Sequence, residues 1–81
     1  MAKGLKWNVY VVIETSTGVM KVVTSVDNRT KWAKWESGKE GKEMTLTTAK
    51  DLAWALSVNG YTAHVIQTLH KMSNPELQPA E

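Results

Sequence analysis

The chain has 81 residues, no cysteine, four tryptophans and a formal net charge of +2. That length holds one domain, and a chain so short buries only about 60% of the surface that its unfolded form exposes. The missing thiols exclude disulfide support, a cysteine nucleophile and a thiolate zinc site, and the small net charge does not announce a nucleic-acid binder.

Residues 1–6, Met-Ala-Lys-Gly-Leu-Lys, have no apolar centre, and they are expected as a flexible N-terminus. The longest apolar run, Val9 to Ile13, is too short for a secretion signal or a membrane span. A soluble, cytoplasmic setting without membrane contact is therefore expected. "KWNVYVVIE" alternates, with Trp7, Val9, Val11 and Ile13 on one face and Asn8, Tyr10, Val12 and Glu14 on the other. "VMKVVTSV" is rich in β-branched residues, and Met20, Val22, Thr24 and Val26 share a face. The intervening "TSTG" supplies a turn with Gly18 where positive φ is cheap. These features predict an antiparallel hairpin, residues 7–14 with 19–26, and Trp7 on its apolar face is expected in the core or at its rim.

"DNRT" reads as a turn. "KWAKWE" is ambiguous, because Trp32 and Trp35 share a face in a helical turn and split faces in a strand. "SGKEGK" reads as an exposed, mobile loop, and "EMTLT" recovers a strand pattern with Met44 and Leu46 on one side. Thr48 with Asp51 fits a capping box. Ala49, Leu52, Ala53 and Leu56 then recur with the period of a helix lying on a sheet, and Asn59-Gly60 stops it. "YTAHVIQTLH" alternates as a last strand. Residues 71–81, with two prolines, are expected as a disordered tail.

The predicted fold is α+β, in the order β-β-(β)-β-α-β. A small twisted antiparallel sheet of three to four strands carries one amphipathic helix on one face, over a single domain spanning 7–70. The opposite sheet face has no helix to cover it. It is expected to be exposed, and a homo-oligomer through that uncovered face is one expectation.

Signals for chemistry are weak, and neither an enzyme nor a cofactor is expected. Catalysis by a nucleophile needs a base held by a third group, and no local pattern assembles one. His64 and His70, both placed on the last strand, lie roughly 20 Å apart at strand rise, too far for a shared metal. "SGKEGK" lacks the strand–loop–helix context and terminal Lys-Ser/Thr of a phosphate loop.

The segment 29–42 carries the functional signal. Trp32 and Trp35 stand among Arg29, Lys31, Lys34, Lys39 and Lys42. Residues 1–42 hold eight cations against four anions, whereas residues 43–81 hold two against four. Aromatic faces among cations can anchor a protein interface, where Trp and Arg dominate binding energy. They can also stack bases while the charges meet phosphates. Lysine stems packed around a rim indole are the purely structural alternative. Glu36, Glu40 and Glu43 dilute the basic run, and Arg29 is its only arginine. A protein partner is therefore the leading expectation, bound through Arg29, Lys31, Trp32, Lys34, Trp35 and Lys39, with Trp54 and Tyr10 as extensions. A nucleic-acid partner through the same segment is the alternative.

Thr48, Ala49, Ala53, Leu56, Asn59, Gly60, Tyr61, Ala63 and Val65 form a pattern in which a threonine-led helix runs into an "NGY-x-A-x-V" strand. Over about half the chain, this resembles small accessory proteins of bacterial viruses and mobile elements. The resemblance implies a small single-domain protein that acts by binding, with modulation or inhibition of a host protein as its expected role; it carries over no catalytic residue. The element order is also similar to the three-strands-plus-helix domains that bind arm-type DNA sites in phage integrases, although the sheet here is less basic and a strand follows the helix.

Overall fold

The computed structural model describes residues 7–27, 29–30 and 32–76. The expected flexible 1–6, Lys31 and the last five residues of the expected tail lie outside the described residues. The chain forms β1 (Asn8–Glu14), β2 (Met20–Val22), β3 (Ser25–Asp27), β4 (Trp32–Lys34), α1 (Leu46–Val58) and β5 (Thr62–Thr68). The α+β class, the single helix and the antiparallel pairing are as expected. The sheet, however, is divided into a three-stranded part, β2-β1-β5, and a two-stranded part, β3-β4.

β1 is the centre of the molecule, because five consecutive apolar residues can only be buried if both of its faces are covered. Val9, Val11 and Ile13 face α1 and pack with Ala49, Leu52 and Leu56, together with Val23 and Ala33 from the β2–β4 region. Tyr10 and Val12 face the other way and pack with Val22, Ile66 and Met72. The face expected to be bare is therefore covered. Its cover comes from residues 38–41 and 72–74, which pair with each other: Gly41 N–H donates to Met72 O at 2.8 Å and Asn74 N–H to Lys39 O at 2.9 Å. A β-bridge joins Glu40 and Ser73. The "SGKEGK" loop and the start of the tail are thus joined to each other and to the sheet, which corrects the expected disorder for residues 71–76.

Asn74 makes the joint. It is 5% exposed, its Oδ1 accepts from Val22 N–H at 2.8 Å, and its Nδ2 donates to Val22 O at 2.9 Å. The same Nδ2 donates to Glu36 O at 3.0 Å. One side-chain amide thus does for the outer edge of β2 what a neighbouring strand would do. Gly41 is required beside it, because a Cβ there would stand 2.6 Å from Val22 Cγ2 and 3.0 Å from the Tyr10 ring.

The expected long hairpin is shorter than its sequence pattern. β1 and β2 pair only at Val12↔Val22, Ile13↔Lys21 and Glu14↔Met20, extended by Val23 N–H to Val11 O. Thr24 then transfers the chain to the second sheet: its N–H donates to Lys34 O at 2.7 Å and its hydroxyl accepts from Glu36 N–H at 3.0 Å. Where β2 leaves β1, Met44 takes its place, with its N–H bonded to Val9 O at 3.0 Å. The expected strand at residues 43–47 is reduced to that contact. Thr45 caps the helix three residues earlier than Thr48, its hydroxyl accepting from Thr48 N–H at 3.2 Å. At the far end Asn59 is the C-cap and Gly60 takes φ 95°, the left-handed geometry that lets β5 turn back under α1.

Removing the Asn74 amide leaves the buried backbone N–H and C=O of Val22 without partners, at about 1–3 kcal/mol for each unsatisfied group, and frees the part-buried Glu36 carbonyl. Asn74→Ala is expected to lower the unfolding free energy by about 2–4 kcal/mol in a urea titration. Asn74→Asp, which keeps the acceptor and loses the donor, is expected to be destabilising as well.

Candidate functional site

β4 alternates in the simplest way. Ala33 points into the core, while Trp32 and Lys34 point out. Trp35, just beyond the strand, folds back over the end of the sheet and packs against the helix-side core. Tyr61 meets it there. The turn that ends α1 sets this tyrosine, whose N–H donates to Leu56 O at 3.0 Å.

Three rings result in one cluster. Trp35 and Tyr61 lie 5.2 Å apart between centroids at 70°, Trp32 and Tyr61 5.7 Å at 64°, and the two indoles 6.4 Å at 49°. Edge-to-face contacts of this kind contribute about 0.5–1.5 kcal/mol each beyond the area they bury. They hold Trp32 in place although it is 42% exposed. Beside the cluster, an open groove of about 470 Å³ is floored by Ile13, Trp35 and Tyr61 and rimmed by Glu14, Thr15, Ser16, Gly60 and Thr62. Glu14 at this rim stands 3.8 Å from His64 Nε2, and both side chains are substantially exposed.

The rings touch one another, which limits what they can hold. Sandwiching a planar base or caging an organic cation needs a gap between facing rings, and tilted rings in contact leave none. What they present to solvent is a continuous apolar edge, with the hydroxyls of Thr15, Ser16 and Thr62 and the Glu14 carboxylate around the adjoining hollow.

The remaining expected residues divide. Arg29 is exposed in the β3–β4 turn, where its N–H is bonded to Asp27 Oδ1 at 2.8 Å, and Lys34 is exposed beside Trp32 on β4. Lys39 is exposed on the segment paired with residues 72–74, and it does not line the groove. Tyr10 is 1% exposed in the second core cluster and cannot extend any surface, which corrects its expected role. Trp54 is 70% exposed on the outer side of α1, outside the three-ring cluster. Trp7, expected in the core or at its rim, is 55% exposed, because it precedes the paired part of β1. Of the two histidines, His64 lies on β5, whereas His70 falls after the strand ends.

Tyr61, Ile13 and Glu14 were not among the expected site residues. The signal for Tyr61 was its place directly after the Asn59-Gly60 helix stop, an aromatic forced to emerge at one end of the sheet. Nothing in the local pattern joined that end to Trp35, 26 positions earlier in the sequence.

No helix among the described residues is long and apolar enough to cross a membrane. No protein-family model, curated protein or solved structure matches the chain.

The two kinds of tryptophan respond differently to truncation. Trp35→Ala removes a ring packed on the core and is expected to cost about 2–4 kcal/mol. Trp54→Ala is expected to change stability by no more than about 0.5 kcal/mol. Parallel chemical denaturation of the two variants measures the difference.

Proposed function

We propose that the chain is a protein-binding module whose contact surface is the Trp32–Trp35–Tyr61 cluster with the groove beside it. One observation carries this reading: a half-exposed indole, Trp32, held in a fixed orientation by two other rings. Ordering a mobile side chain on binding costs about 0.5–1.5 kcal/mol, and an indole already held avoids much of that cost. Tryptophan is also among the residues that dominate binding energy when they reach a partner's pocket.

The groove has the size of a site for one or two side chains of a partner segment, at the lower end of the roughly 300–1,000 Å³ typical of binding pockets. Its apolar floor favours an aliphatic or aromatic residue. The Glu14 carboxylate at the rim favours a neighbouring basic residue. Arg29 and Lys34, on the same hairpin as Trp32, suit an acidic position next to the indole.

The same surface is the natural site for nucleic acid, but fewer features support that reading. The edge-to-face rings offer no slot in which a base is sandwiched, and the Glu14 and Glu36 carboxylates oppose phosphates.

Truncating an anchoring indole costs binding about 2 kcal/mol or more. Immobilised Trp32→Ala is therefore expected to retain less than about a tenth of the partner protein that the unaltered chain captures from a cell extract. Its circular dichroism is expected to be unchanged. Equal capture by both chains would refute the assignment. Oligonucleotide binding that weakens steeply between about 50 and about 200 mM salt would instead transfer the surface to nucleic acid.

A further inference from the structure

The three-stranded sheet has two edges, and the fold treats them differently. The β2 edge is three residues long and is closed by the Asn74 side chain. The β5 edge is seven residues long and pairs with β1 residue for residue, from Asn8↔Thr68 to Glu14↔Thr62, without a bulge. Among the described residues, no backbone group bonds to its outer side. Thr62–Thr68, "TAHVIQT", contains no Lys, Arg, Asp, Glu or Pro. Those are the residues that commonly prevent an exposed edge from templating another strand.

Antiparallel alternation identifies the groups left open. Val11 O accepts from Val23 and Val9 O from Met44, both on the β2 side. The even-numbered residues of β1 therefore make the hydrogen-bonded pairs with β5. It follows that Ala63, Val65 and Gln67 turn their N–H and C=O groups outward.

We propose that this edge pairs with the same edge of a second copy of the chain, antiparallel, with Val65 on the two-fold axis. The self-complementarity of the strand selects a second copy over an unrelated strand. With the axis at Val65, Ala63 of each copy faces Gln67 of the other, and every outward N–H and C=O of these three residues finds a partner. Moving the axis to His64 or Ile66 leaves one outward residue of each copy without a partner. The side chains agree: Thr62 meets Thr68, His64 meets Ile66 and Val65 meets Val65, with no Lys, Arg, Asp or Glu opposed. A two-fold contact of this kind is closed and ends at a dimer.

The helices fit the same arrangement. α1 packs on both β1 and β5, so strands spaced at about 4.8 Å place the two helix axes roughly 10 Å apart, a normal packing distance. The handedness of strand and helix turns the flank of α1 that carries Leu46, Lys50, Ala53, Trp54 and Ser57 towards the outer edge of β5, with the long Lys50 side chain reaching out to solvent at the rim of the contact. Ala53 and Ser57, one turn apart, are small enough for close approach. Leu46 and Trp54, exposed in the single chain, are covered in the pair.

The test combines mass with amide exchange. Sedimentation of the full chain from about 10 µM to about 1 mM is expected to show a monomer converting to a dimer as concentration rises. Over the same range, hydrogen exchange at Ala63, Val65 and Gln67 is expected to slow by at least about tenfold. His64 and Ile66, bonded to β1 in either state, are expected to change little. Gln67→Pro removes one outward N–H where no bond to β1 is lost, and it touches neither Trp32 nor the groove. It is expected to weaken the dimer at least about tenfold. A monomer with unprotected amides at every concentration overturns the proposal and leaves the edge to a strand of another protein. Protection in a monomer, independent of concentration, overturns it by showing that the chain closes its own edge. A dimer in which these three amides stay unprotected overturns it by placing the contact elsewhere. The exchange pattern of the unaltered chain decides the matter even if Gln67→Pro does not fold.

Discussion

The structure depends on the pair of hydrogen bonds between the Asn74 side chain and the backbone of Val22. A strand as apolar as β1 has to be covered on both faces, yet the described residues offer one helix. The second cover is made from irregular chain, residues 38–41 and 72–74, which has little apolar surface of its own and a backbone full of polar groups. Such a cover holds only if those groups find partners. Asn74 supplies them at the most demanding point, where β2 would otherwise present an open edge to the interior, and Gly41 lets the cover approach Tyr10 and Val22 closely enough to exclude water.

The aromatic surface depends on the same division of the sheet. Because Thr24 bends the chain out of the first sheet and into the second, β4 ends near the turn between α1 and β5, and Trp35 lands against Tyr61. A continuous hairpin over residues 7–26 would have left no place for β3 and β4 to form this corner. The exposed indole of Trp32 is thus a consequence of how the small core is closed. The polar rim of the groove comes from the β1–β2 turn at one side and the helix stop at the other.

Much of the fold was legible in the residues themselves. The alternation of β1, the Ala49–Leu52–Ala53–Leu56 stripe and the Asn59-Gly60 stop each have a local cause, so short windows revealed them. The helix start was displaced because three threonines compete as caps within four positions, and burial of Met44 against β1 favoured Thr45. Residues 71–76 were misread because proline and polar composition describe a segment's own preference for order. They carry no trace of the Val22 backbone that awaits Asn74. Tyr10 was misread for the related reason that an alternating strand says which residues share a face, and not whether that face is covered.

By itself the sequence determined the class of fold, the alternating strand that becomes β1, the amphipathic helix and the presence of a tryptophan-rich cationic segment, all properties with periods or signals of a few residues. Only the tertiary structure decided which tryptophan faces water, that Tyr61 joins Trp32 and Trp35, and that the second sheet face is closed while the β5 edge stays open among the described residues. Those outcomes depend on contacts between residues dozens of positions apart, such as Asn74 with Val22. Their energies come from satisfying particular buried groups, which local composition does not encode.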